Sequence, residues 1–459
     1  MNHTYNSLQS SVIDARGFIV LLMTIIIYYF SLMALGYESV RYISILTVPV
    51  LFFVLINKPD LYGFQFLAII FLVLFDNDVL NWGSQKIRPW YFIVLLVLFF
   101  QFFLNGEKGV SFRVRRVFGF PVMLYFFVLS VIFFLIEDSV SKLYILKYWL
   151  FSVGLIYSLL YLSKMTKMSV DDKLALWFFC VFFSTLWGLL QFAGNVSGFA
   201  GASLQADWYN ISPSAFFSER TWYGQYASVG VVLATYRLVQ TKRKIFLLML
   251  FLALTGTSLS FSRSALMPLL AAIIGLLTFV ILVGKINTKK LFYFLLAFSV
   301  SLIAYFYFPD DVLNLFYTFR KFNLEDDGIK GRYEALDLFI HNVTDNPVDY
   351  IIGNGFSWGH SEVSSIGTAV GAKSANLFLM IFHVFGVVGL FLALLFFLFF
   401  VVQYLSLIKS RQSSVVLLGF VLFLSFIGLS FFVPSHQYPS SLVILFFSIM
   451  IYQENSALE

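Results

Sequence analysis

Residues 380–405 read MIFHVFGVVGLFLALLFFLFFVVQYL and contain no Lys, Arg, Asp or Glu. A helix of about 20 apolar residues crosses the roughly 30 Å hydrocarbon core of a bilayer, so this run is long enough to span a membrane. The rest of the chain is similar, since 60% of its 459 residues are hydrophobic and only 12% are charged. Soluble domains average about 45–50% apolar and about 25% charged residues. The sequence therefore predicts an integral membrane protein and excludes a string of soluble domains.

Apolar runs bounded by polar clusters recur along the chain and predict an all-α polytopic fold with about 14 transmembrane helices, and at least about 12. The predicted spans lie near residues 17–35, 41–57, 62–80, 90–105, 118–136, 143–163, 174–193, 223–240, 245–260, 264–284, 291–308, 380–405, 414–433 and 438–453. The chain divides accordingly into N-terminal helices (1–193), an outer loop (194–222), central helices (223–308), a large outer loop (309–373) and C-terminal helices (374–459).

The Lys and Arg residues predict the orientation. Cytoplasmic loops of membrane proteins carry an excess of these cations. With the N-terminus inside, 18 of the 30 Lys and Arg residues fall on the inner side, including the clusters at 113–116 and 242–244. We therefore expect both termini inside, and we interpret the net charge of +6 as a record of topology rather than as a nucleic-acid surface.

The loop at 309–373 is unusually long for a connection. Loops of more than about 12–15 residues are usually functional or disordered. Apolar residues at helical spacing from Tyr333 to Ile340 predict an amphipathic helix within it. The segment from Tyr350 to Phe356 predicts a short extended stretch that ends in a glycine turn. A folded cap without activity is the alternative to a functional subdomain.

Arg263 is the most informative single residue, because it lies between two predicted spans with almost no loop. An arginine at the membrane boundary presents a planar fork of donors that suits a phosphate or diphosphate group. Ser262 and Ser264 lie on either side of it. The alternative is that Arg263 snorkels to the phosphates of ordinary lipids.

Two further arginines lie in outer segments. Arg220 follows Glu219 and precedes Trp222 and Tyr223, a combination that could form a sugar-stacking and anion-binding rim, although a local ion pair is equally compatible. Arg332 opens the predicted loop helix and is followed by Tyr333. We hypothesise that Arg220, Arg263 and Arg332 converge on one polyanion.

A catalytic base is harder to assign. His360 lies in the large loop and is a candidate, because a histidine side chain can accept a proton near neutral pH, while Glu219, Glu334 and Asp337 are alternatives. The sequence has no P-loop, HExxH, GxSxG or paired-cysteine motif, and its single cysteine, Cys180, excludes a disulfide framework. These absences disfavour a nucleotide-binding enzyme of the soluble type and a metalloprotease, and we expect no cofactor.

Three elements in order resemble the bacterial O-antigen ligase and O-antigen polymerase superfamily, over roughly residues 215–410. The first is the turn Ser262-Arg263-Ser264. The second is Arg332 followed by Pro347 and the Gly353-Asn354-Gly355-Phe356 turn. The third is the loop exit, which comprises Asn376-Leu377-Phe378-Leu379 and Phe385-Gly386-Val387-Val388-Gly389-Leu390.

The resemblance implies a metal-independent glycosyltransferase of the bacterial inner membrane with its active face in the periplasm. Its substrates would be undecaprenyl diphosphate-linked glycans within the lipid bilayer. The arginines would hold the diphosphate while an acceptor hydroxyl attacks the anomeric carbon. Trp222, Tyr223, Ser262, Ser264, Tyr333 and Asn376 would contact the substrate. A chain-length regulator and a flippase would be partners.

One departure separates the two branches of this family. Ligases that resemble it carry a His directly before the loop-exit Asn, whereas this chain has Ala375-Asn376. The segment Phe217-Ser218-Glu219 also resembles a Glu-containing segment of polymerases. Both features favour the polymerase, while His360 as a displaced base would suit a ligase. A transporter, either a flippase or an anion carrier, is the alternative from another class, although its expected two-fold repetition of broken helices is missing.

Overall fold

The computed structural model describes ten α-helices, one short 3-10 helix, four short strands and scattered residues between 63 and 98, at 142 and 145, and at 355. The continuous described ranges are 119–136, 151–166, 168–194, 220–260, 262–283, 347–353, 377–431 and 439–456. The helices are α1 (Gly119–Ile136), α2 (Gly154–Met165), α3 (Val170–Gly194), α4 (Arg220–Thr241), α5 (Ile245–Leu259), α6 (Met267–Val283), α7 (Pro347–Ile352), α8 (Leu377–Arg411), α9 (Ser414–Ser430) and α10 (Pro439–Ser456).

Strands occur only as two short antiparallel pairs among the described residues. In one, β1 (Leu80–Trp82) pairs with β2 (Gln85–Ile87), with Leu80 opposite Ile87. In the other, β3 (Gln205–Ala206) pairs with β4 (Ile211–Ser212). The hydropathy pattern predicted neither pair. The architecture of the described residues is nevertheless helical, as expected.

Among the described residues, three helical segments are long and apolar enough to cross a membrane. They are Val170–Leu189 in α3, Ser264–Val283, which contains α6, and Val384–Arg411 in α8. Four shorter helical segments are also apolar, namely Leu124–Ile136, Phe151–Met165, Ile245–Leu259 and Ser414–Ser430. All of these coincide with predicted apolar runs. The predicted spans at 17–35, 41–57 and 291–308 lie outside the described residues, and the count of about 14 spans stays a prediction.

The chain divides into two compact units. The first takes its described residues from 1–111 and 153–265 and contains α2 to α5, and in it α3, α4 and α5 all pack against one another. The second takes its described residues from 112–152 and 266–459 and contains α1 and α6 to α10. Within the second unit, α9 packs against α6 and α10, while α8 contacts α1, α7 and α9.

A buried hydrogen-bond network joins three helices of the second unit. Tyr404 of α8 is fully buried, and its hydroxyl donates to the Ser448 carbonyl of α10 over 2.6 Å. The Tyr404 and Ser448 hydroxyl oxygens lie 2.9 Å apart, and the Ser448 hydroxyl donates to the Gly419 carbonyl of α9 over 2.9 Å. Because an unpaired polar group in an apolar interior is costly, this network fixes which faces of the three helices meet.

Helix α8 is broken at Gly386, whose φ of 67° and ψ of −171° belong to a region open essentially only to glycine. A Cβ at Gly386 would lie 2.1 Å from the Ile351 carbonyl oxygen of α7. Conversely, a Cβ at Gly353, where φ is 91°, would lie 2.2 Å from the Val384 carbonyl oxygen. The two glycines therefore let the backbone that ends α7 lie directly against the break in α8, and we call this contact the glycine clasp.

Two hydrogen bonds use carbonyl groups at the same break. The Gly355 N–H donates to the Val384 carbonyl over 3.3 Å, and the Tyr125 hydroxyl of α1 donates to the Phe385 carbonyl over 3.1 Å. The predicted glycine turn is confirmed by the positive φ values of Gly353 and Gly355. The predicted extended stretch before it was wrong, because Pro347 opens a helical turn that continues to Ile352.

Candidate functional site

The candidate site begins with the serine-rich turn that follows α5. The Ser260 hydroxyl donates to the Thr257 carbonyl over 2.6 Å and accepts from the Ser262 N–H over 3.3 Å. The Ala265 N–H then donates to the Ser262 carbonyl over 3.2 Å, within a short 3-10 helix that spans Arg263–Leu266. Serine side chains readily bond to nearby backbone groups, so this sequence ends one helix and starts the next turn without a loop.

The turn lies directly against the first turns of α4. A Cβ at Gly224 would lie 2.2 Å from the Ser260 Oγ, 2.6 Å from its Cβ and 3.1 Å from the Ala265 Cβ. Only glycine fits at this distance. One residue later, the Gln225 Nε2 donates to the Ser264 Oγ over 2.9 Å, and the Ser264 and Ser262 hydroxyl oxygens lie 3.0 Å apart. The side-chain amide of Gln225 in α4 therefore holds the Ser262-Arg263-Ser264 turn against this helix.

This polar cluster is buried. Gln225 is only 1% exposed, and Ser260, Ser262 and Ser264 are also buried. Among the described residues, no partner bonds to the Gln225 Oε1. The two ends of an amide can exchange by rotation, so Gln225 has one polar atom to offer to a further group, either as an acceptor or as a donor. A buried polar atom of this kind stabilises whatever group pairs with it.

Two of the three predicted arginines have backbone positions near this cluster. Arg220 is the first residue of α4, which places its Cα about 7.5 Å along the helix axis from Gln225, at about 1.5 Å per residue. Arg263 opens the 3-10 turn, directly before Ser264. The structure describes the backbone of Arg220 and Arg263 but not their side chains. The third arginine, Arg332, lies outside the described residues.

The aromatic residues after Arg220 are buried in the helix packing. The Tyr223 ring lies on Gly188 of α3, where a Cβ would be 2.3 Å from it, and its hydroxyl donates to the Thr185 carbonyl over 3.2 Å. The same hydroxyl would lie 2.7 Å from a Cβ at Gly256 of α5. Trp222 is only 3% exposed. These surroundings are those of core residues, and contact of Trp222 and Tyr223 with a substrate stays a prediction.

The remaining predicted site residues, Glu219, Tyr333, His360 and Asn376, lie outside the described residues, as do the alternative bases Glu334 and Asp337. Within the described part of the chain, no group of three or more His, Cys, Asp or Glu side chains could hold a metal ion.

Gln225 and Gly224 belong to the cluster but were not predicted. Both lie in the run 223–240, which hydropathy treats as a uniform span. A signal was nevertheless present, since a polar side chain within a membrane helix is costly and often functional. The close approach at Gly224 cannot be predicted from composition, because it depends on the side chains of Ser260 and Ala265, which are distant in sequence.

Comparison of the chain with protein-family models, with curated proteins and with solved structures gives no significant match.

Proposed function

We propose that the chain is an O-antigen polymerase, a glycosyltransferase that joins undecaprenyl diphosphate-linked repeat units at the periplasmic face of the bacterial inner membrane. The observation that supports this most directly is the Gln225–Ser264 hydrogen bond, which fixes the turn carrying Arg263 beside the start of the helix opened by Arg220. Two arginines on adjoining backbones suit a diphosphate better than either would alone.

The start of α4 strengthens this proposal. The first N–H groups of a helix have no partner within it and carry a partial positive charge, which favours anions nearby. Arg220 is the first residue of this 22-residue helix, so its cationic side chain and the positive end of the helix dipole are close in sequence. The buried serine and glutamine groups add donors in an environment of low polarity, where electrostatic interactions are strong.

In the proposed reaction, a hydroxyl of one lipid-linked glycan attacks the anomeric carbon of another. The new glycosidic C–O bond forms as the C–O bond to the diphosphate breaks, the hydroxyl proton passes to a base, and undecaprenyl diphosphate leaves. Negative charge grows on the leaving diphosphate, so fixed guanidinium groups lower the barrier by binding the transition state more tightly than the substrate. Arg332 is a predicted third cation, and Glu219 and His360 are predicted bases.

Deletion of the gene in its host tests the class of function. For a polymerase, surface lipopolysaccharide should change from a ladder to core plus one repeat unit. Loss of every repeat from the core, with lipid-linked polymer accumulating, would indicate the ligase instead. An unchanged ladder would contradict both and would favour another exported glycan or the transporter.

Complementation of the deletion strain tests the arginines. Arg220→Ala and Arg263→Ala should each fail to restore the ladder while reaching wild-type levels in the membrane, because a diphosphate would lose a charge-assisted contact. Arg243→Ala is the matched control, since Arg243 is exposed in the turn at the opposite end of α4. A normal ladder with Arg263→Ala would leave lipid snorkelling as the role of Arg263.

A further inference from the structure

The short helix α7 exposes an unusual amount of apolar surface. Its residues Val348, Tyr350, Ile351 and Ile352 are between 40% and 57% exposed. These residues lie in the part of the sequence that hydropathy assigns to a large loop in water. Four adjacent large apolar residues that are exposed to this extent indicate a surface that contacts something apolar.

The glycine clasp determines where this surface lies. The clasp holds the end of α7 against residues 384–386, and the segment of α8 that is long and apolar enough to cross a membrane begins at Val384. Tyr350 also contacts Phe382 edge-on, with ring centroids 5.5 Å apart. Helix α7 therefore lies beside the start of this apolar segment, rather than at a distance from it.

The neighbouring part of α8 is exposed at the same level. Val387 is 37% exposed and Phe391 is 59% exposed, within one and two turns of the break at Gly386. In a helix that crosses a bilayer, exposed apolar side chains contact lipid. The apolar residues of α7 thus lie beside the point where the lipid-facing surface of α8 begins.

The composition of α7 limits how deeply it can enter. Asp349 is the single charged residue among 347–352, and a carboxylate is costly within hydrocarbon. Tyr350 belongs to a residue type that is enriched at the membrane interface, because its ring is apolar and its hydroxyl can bond to water. A short helix with these properties suits the boundary between headgroups and acyl chains.

We propose that α7 lies in the membrane interface and contacts the acyl chains of bilayer lipids through Val348, Tyr350, Ile351 and Ile352. The large loop is then anchored to the membrane at its C-terminal part and is not wholly in water. This inference uses neither Arg220 nor Arg263 nor the proposed reaction, so it holds or fails independently of the proposed polymerase activity.

A spin-label experiment on the full-length protein tests this position. Single cysteines are introduced by Tyr350→Cys, Ile351→Cys and Ile352→Cys in a Cys180→Ala background, and each is labelled with a nitroxide. The protein is placed in vesicles of phosphatidylcholine and phosphatidylglycerol. Collision of the label with oxygen, which concentrates in hydrocarbon, is compared with collision with a water-soluble nickel chelate.

Two control positions define the extremes. Ile274→Cys reports lipid, since Ile274 is 51% exposed in the span Ser264–Val283, and Lys244→Cys reports water, since Lys244 is exposed in a turn. At the α7 positions we expect an oxygen-to-nickel collision ratio several-fold above that at Lys244 and approaching that at Ile274. Ratios like that at Lys244 would overturn the proposal, as would low collision with both reagents, which would show that other protein covers α7.

Discussion

At the residue scale, the candidate site depends on two neighbours in α4 with different roles. Gly224 allows the serine turn to approach, and Gln225 then bonds to Ser264 of that turn. The sequence singled out Ser262, Arg263 and Ser264 because an arginine between two apolar runs is conspicuous. It could not reveal Gly224, since the requirement for glycine comes from contact with Ser260, 36 positions further along the chain.

Gly224→Ala should therefore damage the site more than an ordinary glycine substitution in the same helix. The added Cβ would overlap the Ser260 Oγ and Cβ, so the turn carrying Arg263 must move away from α4. We expect loss of the lipopolysaccharide ladder in the complementation assay and a fall in the melting temperature of the purified protein, consistent with overpacking costs of about 1–3 kcal/mol.

Gly230→Ala is the matched control for this substitution. It makes the same chemical change in α4, but its Cβ would lie 3.1 Å from the terminal Val181 Cγ1, a side-chain atom that can shift. We expect Gly230→Ala to support a normal ladder. Equal effects of the two substitutions would show that the close approach at Gly224 does not position the turn.

At the element scale, hydropathy located the helices better than their interruptions. The run 380–405 was predicted as one span, and α8 does cover it, from Leu377 to Arg411. The break at Gly386 was not predicted, because apolar residues continue on both sides and hydropathy carries no information about backbone angles. The pattern likewise misassigned residues 350–352 as extended, since six residues are too few for helical periodicity to be distinct.

Gly386→Ala should loosen the clasp between α7 and α8. Alanine must adopt backbone angles open essentially only to glycine, which costs of order 1–3 kcal/mol, and its Cβ would also meet the Ile351 carbonyl oxygen. We expect a lower melting temperature in detergent and faster hydrogen exchange at the amides of α7, measured by mass spectrometry.

The matched control for the clasp is Gly428→Ala in α9. Its Cβ would lie 3.2 Å from the nearest atom, the Met267 Cβ, and Gly428 lies in regular helix without a positive φ. We expect its melting temperature to stay close to that of the wild type, with unchanged exchange in α7. If Gly386→Ala behaved like Gly428→Ala, the glycine clasp would not hold α7 in place.

At the scale of the whole molecule, the α4–α5 hairpin relates the site to the predicted topology. The exposed residues Lys242, Arg243 and Lys244 join the two helices at one end. The start of α4 and the end of α5, with Arg220 and Arg263, lie at the other end. The positive-inside rule predicts that the cationic turn lies in the cytoplasm, and the candidate site would then face the opposite side. The sequence predicted this separation from charge alone, whereas the contacts within the site required the fold.

The predicted topology can be measured with a membrane-impermeant maleimide. In the Cys180→Ala background, Lys244→Cys should react only after the inner membrane is permeabilised, because the turn should face the cytoplasm. His360→Cys, in the predicted outer loop, should react in intact spheroplasts. The reverse pattern would contradict the predicted orientation and would place Arg220 and Arg263 on the cytoplasmic side.

The buried network of Tyr404, Gly419 and Ser448 also has a consequence for biosynthesis. Translation proceeds from the N-terminus, so Tyr404 and Gly419 leave the ribosome before Ser448. Until α10 arrives, the Tyr404 hydroxyl and the Gly419 carbonyl lack the partners that they have in the finished unit. Helices α8 and α9 can enter the membrane as apolar segments and pack through Phe400 and Phe423, but the hydrogen bonds of this network form only when α10 joins them. The arrival of α10 is therefore the assembly step that satisfies the buried polar groups of the other two helices.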